Sequence, residues 1–205
     1  MLAAEGMTSV RGGRSLFSDL SFVAEPGTLL HVAGANGAGK TSLLRILCGL
    51  LSPTDGVVRW RGEDIQRQHE SYCRDLRYIG HLGGIKDELT VVENLSFSAV
   101  LSGITPQAGA AETALDALGL SRYARLPARM LSQGQRRRIA LARLALPDAA
   151  ALWILDEPLA ALDDAAAKWV LGLLGTRLAA GAAVVMTSHQ PFAVTGAVQT
   201  ITIGE

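Results

Sequence analysis

The sequence predicts an α/β domain with a parallel core sheet and a helical insert. Three observations carry this reading. The apolar run Leu29-Leu30-His31-Val32-Ala33 leads into Gly34-Ala35-Asn36-Gly37-Ala38-Gly39-Lys40-Thr41-Ser42, which leads into the helix-like run Ser42-Leu43-Leu44-Arg45-Ile46-Leu47-Cys48. Strand, glycine loop and helix form the context in which G-x-x-x-x-G-K-[ST] means a phosphate cradle. Two further apolar runs, 149–155 and 182–188, lack polar alternation, as strands buried on both faces do. From Thr90 to about Leu131 the pattern turns helical.

The remaining elements follow in order. Residues 2–28 read as short strands broken by Arg11-Gly12-Gly13-Arg14 and Glu25-Pro26-Gly27 turns. Residues 16–23 alternate apolar and polar, as in a half-buried strand. Turns at Ser52-Pro53-Thr54-Asp55-Gly56 and Arg61-Gly62 bracket Val57-Val58-Arg59-Trp60. Residues 64–75 predict a short polar helix, and 76–81 a strand that runs into a loop. Thr90-Val91-Val92-Glu93 is a capping box that opens the insert. Residues 110–118 give it a second helix and 121–129 a third. Residues 163–179 predict a helix with Leu162, Trp169, Leu173 and Leu174 as core positions. Residues 195–203 close the chain with one or two short strands. A single domain over 1–205 is expected, with about 90–131 inserted as a helical subdomain.

Composition narrows the function. Nineteen basic and nineteen acidic residues balance to a formal charge of zero, which argues against a general electrostatic grip on nucleic acid or anionic membrane. The cysteines are Cys48 and Cys73, with no C-x-x-C, so neither a zinc site nor a disulfide framework is signalled. Cys48 falls in an apolar helix pattern and reads as core. The first residues lack a basic, then apolar, secretory signal, and no apolar stretch reaches about 18 residues. A cytosolic chain that does not itself span a membrane is expected.

Three features are predicted to share one edge of the parallel sheet, where open α/β sheets bind ligands. The phosphate loop follows one buried strand; Gly34, Gly37 and Gly39 let backbone N–H groups turn inward, and the helix dipole adds positive potential. Lys40 would reach the β- and γ-phosphates, while Thr41, and less directly Ser42, would face Mg²⁺ through a hydroxyl. Asp156 ends the second strand and would hold Mg²⁺, directly or through water. Glu157 beside it would polarise a water for attack on the γ-phosphate. His189 ends the third strand and would hydrogen-bond the γ-phosphate and that water. Leu131-Ser132-Gln133-Gly134-Gln135 precedes a further helix. A capping box accounts for Ser132 and Gln135 but not for Gly134, which would let a phosphate on another subunit approach. Arg136, Arg137 and Arg138 fan out at helical spacing and are expected to be solvated or ion-paired rather than a nucleic-acid patch.

These motifs together resemble the ATP-binding subunits of ABC transporters. Gly34 to Ser42 matches their Walker A and Leu152 to Glu157 their Walker B with the catalytic glutamate. Leu131 to Gln135 matches their signature, with Gln133 where glycine is commoner. Ala161-Leu162-Asp163 matches the D-loop, and His189 the switch histidine. The resemblance implies a P-loop NTPase of ABC type, with an N-terminal antiparallel β-subdomain, that hydrolyses ATP with Mg²⁺ as a head-to-tail dimer closing over two nucleotides. Two positions depart from the family. Arg11 stands near the place of the adenine-stacking aromatic, and His81 near that of the Q-loop glutamine, where it would ligate metal or contact the attacking water.

Tyr78-Ile79-Gly80-His81, Gly84-Ile85-Lys86 and Leu89-Thr90-x-x-Glu93-Asn94-Leu95 resemble more narrowly the haem-exporter ATP-binding subunits of cytochrome c biogenesis. That resemblance implies integral membrane partners, contacted through about His81 to Ser98, at the cytoplasmic face of a bacterial inner membrane. It leaves open whether haem is pumped or a haem-loaded chaperone is released. No C-x-x-C-H or axial-ligand cluster is present, so direct haem binding is not expected. Alternatives are an exporter ATPase with another substrate, a soluble ABC protein of translation or DNA repair, and a non-hydrolysing regulatory module. The Gly80-His81 run argues against the first. The lack of a second such domain or a long coiled-coil insert argues against the second, and intact Lys40, Asp156, Glu157 and His189 against the third.

Overall fold

The computed structural model describes residues 1–81, 83–104, 109–146 and 149–204. Leu82 of the expected loop, 105–108 of the expected insert, 147–148 and Glu205 lie outside the described residues. Two sheets organise them. Strands β1 (Leu2–Arg11), β2 (Arg14–Ala24), β4 (Asp55–Trp60) and β5 (Glu63–Asp64) form an antiparallel sheet in the order β2-β1-β4-β5. Strands β3 (Thr28–Ala33), β6 (Leu76–Ile79), β7 (Leu152–Leu155), β8 (Ala183–Thr187) and β9 (Ala197–Thr202) form a parallel sheet in the order β6-β7-β8-β3-β9. β1 and β2 run 10 and 11 residues, longer than the short strands expected.

Every residue of β7 and β8 is buried, as their continuous apolar runs imply. Successive side chains point to opposite faces of a strand, and the two hydrophobic clusters divide accordingly. Leu30, Val32, Ile154 and Val185 pack with helix α1 (Lys40–Leu47) and the antiparallel sheet, including Leu2, Phe22, Leu43 and Leu44. Cys48 joins this cluster as the expected core thiol, its ionisation disfavoured by burial. Trp153, Leu155, Val184 and Met186 pack on the other face against α6 (Asp164–Ala179) through Val170 and Leu174. The same cluster continues into Leu95 of α3 (Val91–Leu101), Leu115 of α4 (Ala110–Ala117) and Ile139 of α5 (Gln133–Ala142). Helices α3 to α5 therefore sit between β6 and β7 in the chain and share a core with the sheet.

Local chemistry sets the element ends. Thr90 caps α3 in a reciprocal box with Glu93, and Asp163 caps α6 by accepting from the Ala166 N–H. Asn94 is buried on α3, and its amide donates to the carbonyls of Lys86, Leu89 and Thr90, fastening the preceding loop.

Three readings change. Residues 121–129 are not a helix but contribute to two short 3₁₀ turns, Ser121–Tyr123 and Ala128–Met130. The carbonyls of Ala124 and Leu126 accept from Val92 and Val91 at 3.0 and 3.1 Å, so they are unavailable to an α-helix, and Pro127 has no N–H to donate. The helix expected over 64–75 shortens to α2 (His69–Asp75), because the Asp64 carboxylate accepts from the Gln66 N–H at 2.8 Å and closes a turn first. On α6 the fully buried positions are Ala166, Val170, Leu174 and Leu178, while Leu162, Trp169 and Leu173 are only partly buried.

Leu43, on α1, is fully buried. Leu43→Ala is expected to lower stability by about 2–5 kcal/mol in urea unfolding. A loss under about 1 kcal/mol would mean that α1 is anchored elsewhere.

Candidate active site

The sheet order brings the predicted residues together. β3 lies beside β8, and β8 beside β7, so the segments leaving their carboxyl ends converge. Gly39, at φ 99°, forms the N-cap of α1, with no side-chain cap and no acidic residue in the first turn. A Cβ there would lie 2.9 Å from Leu16 Cβ, so the close approach requires glycine. The first-turn N–H groups are thus left to an outside anion. The mostly buried Lys40 ammonium donates to the Gly34 and Ala35 carbonyls at 2.7 and 3.0 Å, across the start of the same loop.

A chain of hydrogen bonds links this loop to the acidic pair. The Thr41 hydroxyl donates to Asp156 Oδ2 at 2.9 Å, and the Thr187 hydroxyl to Asp156 Oδ1 at 2.9 Å. Thr187 Oγ1 also accepts from the Glu157 N–H at 2.9 Å. Asp156 is only 2% exposed, so both of its oxygens are engaged by hydroxyls in a place where an unpaired carboxylate is costly. Glu157 adopts φ 49°, a left-handed conformation that a non-glycine residue keeps only when its surroundings fix it. Its Oε2 accepts from the His189 N–H at 3.2 Å. Its Oε1 is buried without a hydrogen-bond partner, and His189 Nε2 stands 3.5 Å away. An acceptor of this kind is what a water donor would satisfy.

Glu157 also lines a cavity of about 360 Å³ with His81, Gln133, Gly134, Arg137 and Ala161. His81 and Glu157 therefore line the same cavity. Next to the lining residues Gln133 and Gly134, Ser132 caps α5: Gln135 N–H donates to Ser132 Oγ at 3.3 Å, and Ser132 N–H to Gln135 Oε1 at 2.9 Å. A Cβ on Gly134 would meet nothing within 4 Å, so no contact within this chain demands glycine there.

Arg11 is exposed and its Nη2 donates to the Ser52 carbonyl at 3.1 Å. A cavity of about 290 Å³ outside the phosphate loop is lined instead by Arg14, Ser15 and Leu16 together with Ala35 to Ala38 and Gly204. Arg136 and Arg138 are ion-paired as expected, with Asp87 and Asp163, each at 2.8 Å. Arg137 is not: it is partly buried and its guanidinium binds main-chain carbonyls at the ends of β6 and β7. Sequence reasoning assigned no role to Thr187. A hydroxyl near the end of an otherwise apolar buried strand is the signal that marks it.

A glycine loop at a helix N-terminus, an acidic pair at the end of β7, one strand removed from β3 in the same parallel sheet, and a capped helix beside that pair define an ABC-type ATP-binding domain. A family model described as ABC transporter matches residues 17–160. The chain is 51% identical to the cytochrome c biogenesis ATP-binding export protein CcmA of Nitrosomonas europaea, over 93% of this chain and 89% of that one. It is 50% identical to the protein of the same name from Nitrosospira multiformis, over 93% and 92%. The fold matches a solved ATP-binding subunit of an ABC transporter at TM-score 0.81 and 25% identity, covering 92% of this chain and 79% of that one. It also matches a dimeric bacterial ABC transporter cassette at TM-score 0.82 and 22% identity, covering 100% and 95%. The chain belongs to the family of cytochrome c biogenesis ATP-binding export proteins within the ABC transporter ATPases.

Thr187→Val keeps the side-chain volume but strands Asp156 Oδ1 and the Glu157 N–H. It is expected to cost about 1–3 kcal/mol in urea unfolding, with Thr187→Ser recovering most of it.

Proposed function

We propose that the chain, working as one unit over 1–205, hydrolyses ATP as half of a head-to-tail pair, driving the export step of cytochrome c maturation from the cytoplasmic face of a bacterial inner membrane. The observation that supports this reading is the Thr41–Asp156–Thr187–Glu157–His189 hydrogen-bond network, which links Glu157 to the first turn of α1. The loop N–H groups and Lys40 bind the β- and γ-phosphates. Glu157 orients and polarises the attacking water through the oxygen left without a partner, and His189 holds the γ-phosphate side of that water. The Thr41 hydroxyl and Asp156 are hard oxygen donors, and among the described residues no cluster of three His, Cys, Asp or Glu groups forms a cage. That donor set suits Mg²⁺, which keeps waters and phosphate oxygens in its shell and would supply neutralisation of phosphate charge. Ser132, Gly134 and Gln135 take the second copy's nucleotide; the open space above Gly134 supports this. His81 contacts the attacking water or metal, and Arg11 or the neighbouring Arg14 and Leu16 face the base.

Membrane subunits dock on the side of the insert that carries the His81 loop. Phe97, Val100 and Leu101 expose 41%, 63% and 72% of their surface at one end of α3, and Leu50 and Leu51 line a cavity of about 420 Å³ with Tyr78, His81 and Arg143. Among the described residues no helix is long and apolar enough to cross a membrane, which supports peripheral attachment. The work done is export of haem or release of a haem-loaded chaperone.

Glu157→Gln is expected to lower ATP turnover by about 10²-fold or more while an ATP-bound dimer accumulates in size-exclusion chromatography. Unchanged turnover would remove Glu157 from its role. Deletion of the gene is expected to abolish covalent haem in periplasmic cytochromes c, assayed by haem staining. Normal staining would leave an exporter ATPase with another substrate.

A further inference from the structure

Gly80, Gly83, Gly84 and Asp87 lie along α5 and its C-cap Arg143, held there by side chains from successive helical turns. Arg137 Nη1 donates to the Gly80 carbonyl at 2.7 Å. Gly83, at φ 64°, sits so close that a Cβ would lie 3.0 Å from Ala140 Cβ. Arg143 Nη2 donates to the Gly84 carbonyl at 2.8 Å, and Arg136 pairs with Asp87. The segment that carries His81 is therefore tied to the helix that Ser132 caps.

Arg137 adds a second attachment. Its Nη2 donates to the carbonyl of Asp156 and, at 2.8 Å, to that of Glu157. One guanidinium thus joins α5, the start of the His81 loop and the peptides of both acidic residues. Burial lowers its basicity, against the fields of Asp156, Glu157 and Tyr78. A partly buried cation held by three carbonyls is a costly arrangement for a surface arginine, and the planar fork of donors is what lets one side chain span them. The Glu157 peptide it grips is the one in left-handed conformation.

We infer that Arg137 is a positioning residue for hydrolysis: it sets the Glu157 carboxylate and the His81 loop according to where the signature helix stands. Because α5 begins at the residues read as taking the second copy's nucleotide, occupancy of one site adjusts the carboxylate of the other. This last step rests on the head-to-tail reading above. Release of the guanidinium frees the Glu157 peptide to relax toward the right-handed region, and its unpartnered oxygen leaves the line of attack.

The test uses the full chain with Arg137→Ala, Arg137→Lys and Glu157→Gln, reading kcat and KM for ATP together with nucleotide affinity. Arg137→Ala is expected to lower kcat roughly 10- to 100-fold with KM within about twofold, since misplacing a reacting group by an ångström costs on that order. Lysine keeps the charge but not the fork, and is expected to recover less than about a tenth of the loss. Millimolar guanidinium is expected to restore part of kcat to Arg137→Ala and none to Glu157→Gln. A kcat within about twofold of the wild type in either arginine variant overturns the inference. So does a loss of kcat matched by an equal loss of ATP-binding capacity, which is the mark of a merely structural role. If Arg137→Ala does not fold, Arg137→Lys is read by the same split. If Glu157→Gln fails to form an ATP-bound dimer while Arg137→Ala still loses kcat alone, the head-to-tail reading falls and the positioning role stands. If the dimer forms and Arg137→Ala hydrolyses normally, only the positioning role falls.

Discussion

The buried Asp156 carboxylate, held between the hydroxyls of Thr41 and Thr187, is the interaction on which the rest of the site depends. A carboxylate out of water costs several kcal/mol unless its oxygens are paired. Here the two partners come from different places in the chain: the first turn of α1 and the end of β8. Both are within reach only because β7 is flanked by β8, and β8 by β3. The requirement to satisfy one charge therefore fixes the relative height of three strand ends. Once they are fixed, the phosphate loop, Glu157 and His189 have their positions, because each leaves one of those strands.

The helical segment is bound to this edge by polar contacts on α5 as well as by the apolar contacts beneath it. Ile139, Ala140 and Leu141 are buried in the cluster that includes Trp153 and Leu155, whereas Arg136, Arg137 and Arg138 reach outward to Asp87, to the carbonyls at the strand ends, and to Asp163. The apolar side gives the helix its place, and the arginines connect it to Gly80, Asp87, Asp163 and the peptides of Asp156 and Glu157. The backbone at Gly83 comes close to the helix because glycine there removes the side chain that would hold the two apart.

Much of this was legible along the chain. The uninterrupted apolar runs of β7 and β8 announce strands covered on both faces, and the strand–glycine–lysine–helix order announces the phosphate loop. The Thr90–Glu93 and Ser132–Gln135 boxes fall where the helices begin, since capping depends on neighbours three residues apart. The expected third helix of the insert failed for a non-local reason: its carbonyls are taken by the N–H groups of Val91 and Val92, some 30 residues earlier. The helix over 64–75 failed for a local one, because the Asp64 side chain competes with the backbone ladder.

What the sequence by itself determined is the chemistry available: which glycine loop opens α1, which carboxylates and histidine follow the buried strands, and which serine caps α5. These follow from residue types at fixed short spacings, and short spacings are all that strand and helix periodicity convey. Only the tertiary structure decided that Thr187 serves both acidic residues, that Arg11 turns to Ser52 while Arg14 lines the cavity beside the glycine loop, and that Arg137, of three adjacent arginines, is the one that binds the main-chain carbonyls of Asp156 and Glu157. The three arginines are chemically identical and differ by about 100° of helical phase. The direction in which each points has meaning only once the sheet has been packed beside the helix.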